Sequence, residues 1–251
     1  MNLQSLLLQV AHSYPEDGMV KWQTRDIPRI QFGIELALNG SDPKGLRVLD
    51  IGGGLSMFAP GCAALGMQSV LVDDFNDTGT VRDGDAGFTA HRKFGVEVMA
   101  RDVIRDGLGD LGTFDIITTF DSMEHWHSSP KQLFAEVKTA LKPSGIFVLG
   151  VPNCVNLRKR ITVPLGYGKW SQMSDWYEQT PFRGHVREPD VADLHYIASD
   201  MGLRDVRIYG RNWQGYKNGR SLIRAVTSVI DRPLRLFPAL CADLYLTARA
   251  H

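Results

Sequence analysis

Arg47-Val-Leu-Asp-Ile-Gly-Gly-Gly-Leu-Ser56 decides how this chain of 251 residues folds. A short apolar strand, Val48 and Leu49, reaches an acid, Asp50, and then runs into Gly52, Gly53 and Gly54. A parallel sheet presents bare backbone to a ligand in this way, at the carboxyl end of its first strand. Glycine permits the close approach and the positive φ that such a turn needs. The acid separates the candidate ligands: a carboxylate repels a pyrophosphate but suits a cationic amino-acid group.

Three glycine-loop patterns compete for this stretch. A phosphate loop requires Gly-x4-Gly-Lys-Ser/Thr, and no lysine comes after these glycines. The dinucleotide fingerprint Gly-x-Gly-x-x-Gly puts Met57 where its third glycine belongs. Asp-x-Gly-x-Gly-x-Gly is met by Asp50, Gly52 and Gly54, with Ser56 as a small last residue. This third pattern resembles motif I of the Rossmann-like, class I S-adenosylmethionine-dependent methyltransferases.

The segments after the glycine loop extend the resemblance in order. Val70-Leu-Val-Asp-Asp74 reads as a second strand, after a helix over about 57–65 and a turn at Gly66, the spacing a βαβ crossover needs. Asp73 at its tip can accept ribose hydroxyls, while Asp74 reads as a solvated loop acid. A third strand is expected from Gly95 to Val103, ending at Asp102, and a fourth from Phe114 to Asp121. Ser122-Met-Glu124-His125-Trp126, an amphipathic helix over Leu133–Leu141, the stop Lys142-Pro-Ser-Gly145 and a fifth strand over Ile146–Asn153 come next. This run resembles the family's strand, Glu-His, helix, Leu-Lys-Pro-Gly-Gly, strand, Pro-Asn, with Ser144 in place of a glycine. His185-Val-Arg-Glu188 resembles the segment before the family's last helix.

The resemblance is close over about 46–153 and points to the small-molecule, UbiG-like branch. It implies an α/β fold: a doubly wound, mostly parallel seven-stranded Rossmann-like sheet with an antiparallel last strand and helices on both faces. The implied cofactor is S-adenosyl-L-methionine. Its amino-acid end falls to the backbone of Gly52, Gly53 and Gly54 with Asp50 beside it, its ribose to Asp73, and its adenine to Asp102 and Val103. Phe120 and Asp121 fall beside the sulfonium.

Composition narrows the alternatives. The 28 basic and 28 acidic residues balance, and no long basic run supports nucleic-acid binding. Cys62, Cys154 and Cys241 are scattered, so neither a disulfide framework nor a zinc site is implied. The N-terminus lacks a basic segment and a long apolar core, and no stretch is long enough to span a bilayer, so a soluble, cytoplasmic protein is expected. Residues 1–45 read as an N-terminal helical cap, with a helix over Ile27–Leu38 ended by Asn39-Gly40. Residues 46–251 read as the methyltransferase domain, with insertions at about 154–184 and 211–238. The second insertion holds a helix, Ser221–Ile230, closed by Asp231-Arg-Pro233, and its arginines read as a solvated face. The appendages leave a homodimer open.

For the acceptor, a small hydroxylated molecule fits best. A hydroxyl is a poor nucleophile until its proton leaves, and histidine is the side chain suited to remove it near neutral pH. His125 and His127 are the catalytic candidates, and His185 lies just after an aromatic insertion whose Trp170 and Tyr177 are candidate substrate contacts, suited to stacking on a sugar face. Asp121, Glu124, His125 and His127 also form a compact set of potential metal ligands, but the family signature accounts for Glu124 and His125 without one, and no metal is expected. N- or C-methylation, or a catalytically silent cofactor-binding scaffold, are the rival readings.

Overall fold

The computed structural model describes residues 2–76, 81, 83–168, 172–178, 180, 182–217 and 219–251. Seven strands form one sheet: β1 (Arg47–Ile51), β2 (Gln68–Asp73), β3 (Glu97–Ala100), β4 (Phe114–Phe120), β5 (Leu141–Pro152), β6 (Arg204–Arg211) and β7 (Asp243–Arg249). Their order is β3-β2-β1-β4-β5-β7-β6, with β7 antiparallel to both neighbours and the other pairings parallel. This is the doubly wound sheet the sequence implies.

Alternation along the central strands builds two cores. Leu49, Ile117, Phe147 and Leu149 face one side, where Leu133, Phe134 and Val137 of the helix Lys131–Ala140 and Leu194 of the helix Val191–Asp200 cover them. Val48, Ile116 and Val148 face the other, covered by helices α1 (Leu3–Ala11), α2 (Asp17–Leu38) and α3 (Phe58–Ala64). The N-terminal helices therefore share a core with the sheet. The longest, α2, begins ten residues before the expected start at Ile27 and runs through Pro28, because Met19, Gln23 and Asp26 extend its buried face. Asn39 closes it with a left-handed φ of 46°.

Other boundaries differ for local reasons. The third strand stops at Ala100, because Asp102 Oδ1 accepts from the amides of Ile104 and Arg105 and caps a short helix, Val103–Asp106. Lys142–Gly145 forms an irregularity at the start of β5, where the register with β4 jumps between Phe114 and Ile116. Ser144 takes the left-handed conformation there, φ 61°, that a glycine would take more easily. The helix expected over Ser221–Ile230 continues to Leu234, through Pro233. Asp231 does not close it; the side chain is buried and accepts from Asn212, Tyr216 and Arg235. Among the described residues, no helix is long and apolar enough to cross a membrane.

Candidate active site

The carboxyl ends of β1, β2 and β4 open into a cavity of about 580 Å³, which the glycine loop, Asp73, Asp102, Val103, Phe120 and Asp121 line. That volume is in the range of small-ligand and cofactor sites. Every residue expected to hold the cofactor is brought to this one cavity.

The loop is shaped by what lies beneath it. At Gly52, φ is 72°, and a side chain would run into Ser122, whose Cβ would be 2.6 Å away. A Cβ on Gly53 would collide with the Asp50 carboxylate, 2.9 Å from its Cγ and from Leu71 Cδ1. Asp50 is 2 % exposed, and the Thr118 hydroxyl donates to its Oδ1 at 2.8 Å. Burial pushes its carboxyl up to about 7, against the Thr118 hydrogen bond and with the help of Asp73. Asp50 is thus a buried carboxylate packed under the loop backbone, placed where a cationic group above would restore its charge.

Asp73 holds the loop from the other side, its Oδ2 accepting from the Gly54 amide at 2.9 Å and its Oδ1 from the Phe75 amide at 2.7 Å. Two residues outside the motif fasten the far end. Gln23 Nε2 donates to the Leu55 carbonyl at 2.7 Å, its Oε1 accepts from the Met57 amide at 3.2 Å, and the Tyr14 hydroxyl also donates to Leu55 at 3.0 Å. No motif marks Tyr14 or Gln23; only an unexplained polar residue on the buried face of α2 hints at them.

Across the cavity, the Phe120 ring stands edge-on to Phe58 with centroids 4.9 Å apart. Asp121 has φ 50° and forms an ion pair with Arg29, which also bridges to Asp26 at 2.8 Å; Lys217 pairs with Asp26 in turn. This chain of ion pairs ties the cavity wall to α2 and to the insertion after β6, and no motif or spacing announces it. Asp74 pairs with Arg183 at 3.3 Å, so it is not simply a solvated acid.

His125 also lines the cavity. Behind it lies Glu124, 1 % exposed, and beside it His185, the two rings edge-on with centroids 4.8 Å apart. His125 Nε2 and His185 Nε2 each lie 4.0 Å from Glu124 Oε1. Burial pushes the Glu124 carboxyl up to about 8, while burial and the neighbouring His185 lower His125. Partial burial works against an ionised Glu188, but hydrogen bonds from His185 and Lys159 hold it down to about 2. The structure does not bring His127 to the cavity: its side chain is exposed, with the ring near Phe182. Tyr177 is 76 % exposed and also outside the lining. Trp170 lies outside the described residues. Of the four expected potential metal ligands, Asp121 is engaged by Arg29 and His127 points elsewhere, whereas His185, sixty positions further along, joins Glu124 and His125.

The sheet order and a crevice over the carboxyl ends of β1, β2 and β4 define a class I α/β nucleotide-binding architecture. A methyltransferase-domain family matches residues 25–208, and the chain belongs to it: it is a class I S-adenosylmethionine-dependent methyltransferase. Solved structures share the fold. A SAM-dependent methyltransferase from Archaeoglobus fulgidus is 20 % identical, with 90 % of this chain and 94 % of that one covered and a TM-score of 0.54. Magnesium protoporphyrin IX methyltransferase from Synechocystis, with bound SAH, is 14 % identical, with 94 % and 89 % covered and a TM-score of 0.58. The N-methyltransferase NodS from Bradyrhizobium japonicum, in complex with S-adenosylhomocysteine, is 12 % identical, with 98 % of each chain covered and a TM-score of 0.52. Comparison with curated protein sequences returns no match.

Proposed function

We propose that this enzyme methylates the oxygen of a small hydroxylated acceptor. The observation that carries the reading is His125, which lines the cavity with Phe120 and Asp121 and has Glu124 and His185 packed against it. The cofactor supplies an electrophilic methyl carbon on a sulfonium. The backbone of Gly52, Gly53 and Gly54 receives its amino-acid end, and Asp50 below offsets the ammonium charge. Asp73 exchanges its bond to the Gly54 amide for the ribose hydroxyls, and Asp102 and Val103 take the adenine. The cradle fits such a ligand: its backbone is bare where side chains would collide, and its floor is a buried carboxylate.

His125 Nδ1 is bound to the Arg183 carbonyl at 2.8 Å, which leaves Nε2 as the nitrogen able to take part in handling the acceptor's proton. His127 and His185 both lie outside the lining, so neither handles the proton in this reading; His185 stands beside His125. The test is transfer of a carbon-13 methyl group from labelled cofactor to fractionated small-molecule extracts. The carbon-13 shift of the product separates methoxyl from methylamine or C-methyl. A methoxyl product supports the reading. An N- or C-methyl product overturns its oxygen part, and cofactor binding without transfer to any fraction supports a silent scaffold instead.

A further inference from the structure

The helix Ser221–Leu234 turns its apolar side away from the protein. Leu222, Val226, Val229 and Pro233 recur at i, i+4, i+7 and i+11, which sets them on one face. That face is bare: Leu222 is 74 % and Val229 75 % exposed, and Leu236 and Phe237 continue it past the helix end. The opposite side is the one that meets the chain. Thr227 packs against Gly215 of the short helix Trp213–Lys217, and Asp231 is buried, accepting from Asn212, Tyr216 and Arg235. These polar contacts fix the roll of the helix, since turning the apolar side inward breaks all three bonds to Asp231.

Charge of one sign surrounds this face. Segments 154–168 and 211–242 hold nine of the 28 basic residues and one of the 28 acids, the buried Asp231, in a chain of zero net charge. The two segments adjoin, Arg160 Nη2 donating to the Ala239 carbonyl at 3.5 Å. Lys159, Lys217 and Arg235 are held by Glu188, Asp26 and Asp231. Arg158, Arg160, Arg220, Arg224 and Arg232 lie on the surface. The helix Leu157–Thr162 and the residues after it add Ile161, Leu165 and Tyr167, which are as bare as the stripe on Ser221–Leu234.

We propose that this face docks the enzyme on a membrane surface of anionic lipids. At 14 residues the helix is too short to cross a bilayer and lies along it. The stripe from Leu222 to Pro233 runs about 17 Å, enough to set its side chains among the upper acyl chains while the arginines reach the phosphates. A second copy of the chain fits this face less well. A two-fold contact sets a patch against itself, so arginines would meet arginines, whereas an anionic headgroup layer meets them with the opposite sign. The inference goes beyond the methylation reading and does not depend on it.

The experiment is co-sedimentation of the full chain with vesicles of phosphatidylcholine alone and of phosphatidylcholine with roughly one-third phosphatidylglycerol, at low and at physiological salt. The chain sediments with the phosphatidylglycerol vesicles only, and less so as salt rises. Leu222→Glu together with Val229→Glu weakens binding at least about 100-fold, about tenfold for each apolar side chain withdrawn from lipid. Arg158→Ala together with Arg232→Ala weakens it about 25-fold, about fivefold per charge. All four side chains are exposed and outside the cavity, and unchanged melting in differential scanning calorimetry shows that both variants are folded. No sedimentation with phosphatidylglycerol vesicles at low salt, equal binding to both kinds of vesicle, or wild-type affinity in the Leu222→Glu, Val229→Glu variant overturns the proposal. A concentration-dependent dimer in sedimentation velocity that this variant abolishes also overturns it, and assigns the face to a second copy.

Discussion

Gly53→Ala probes the glycine loop most sharply. The new Cβ would overlap Asp50 Oδ2 and lie 2.9 Å from both Asp50 Cγ and Leu71 Cδ1, so relief needs a displacement of about 1 Å to reach ordinary contact. Neither neighbour has room to retreat: Asp50 is held by Thr118 at 2.8 Å, and Leu71 is fully buried between strands. The loop backbone must lift instead, into the cavity. Overpacking of this kind costs about 1–3 kcal/mol. For a chain of this size each kcal/mol lowers Tm by about 2–4 °C, so differential scanning calorimetry should show a fall of roughly 2–12 °C. Displacing a loop amide from its ligand contact removes about 1–1.5 kcal/mol, so the Kd for S-adenosylhomocysteine should rise about tenfold. A variant that melts within a degree of wild type and binds with unchanged affinity would refute the packing of the loop on Asp50.

Three other groups give outcomes that unfolding experiments can read. Asp26 is 2 % exposed between Arg29 and Lys217, so Asp26→Asn leaves two partly buried cations facing each other and should cost about 3–5 kcal/mol in urea unfolding. Asp50 has its folded pKa raised to about 7, mainly by burial, so the folded state holds the extra proton and stability is lost as pH rises from about 4 to 7. Asp50→Asn should flatten that slope by up to about 1.4 kcal/mol per pH unit. The comparison with wild type cancels the opposite slope of buried neutral His91, lowered to about 4 chiefly by burial. Ser144→Gly relieves a left-handed backbone at the loss of one exposed hydrogen bond from Arg204, and should raise stability by about 0.5–1 kcal/mol in the same assay.

Features that depend on local sequence were legible before the fold was known. Strand-tip acids, the glycine turn and the order of strands recur at fixed spacing, and Asp50, Asp73, Asp102 and Phe120 all reach the cavity. The third strand ends before Asp102 because that residue can either end an extended run or cap a helix turn, and spacing alone does not rank the two. The apolar spacing marks α2 only from Ile27, because the residues that extend its buried face backwards, Met19, Gln23 and Asp26, include two polar ones that show their value only in the folded chain. Arg29, Gln23 and Tyr14 act across long sequence gaps, so no periodicity marks them. His127 is adjacent to the signature in sequence, yet the turn after Met123–His125 sends it outward; His185 is distant, yet the amides of Val186 and Arg187 bond the Glu124 carbonyl and draw it in.

The cofactor assignment stands or falls with calorimetric titration of the purified chain with S-adenosylhomocysteine, beside an Asp73→Ala variant and a nicotinamide dinucleotide. One binding site with a Kd in roughly the micromolar range is expected, weakened at least about tenfold in Asp73→Ala, with no heat from the dinucleotide. No heat with S-adenosylhomocysteine at submillimolar concentration, or saturable binding of the dinucleotide in its place, would rule out a cradle built for the sulfonium cofactor.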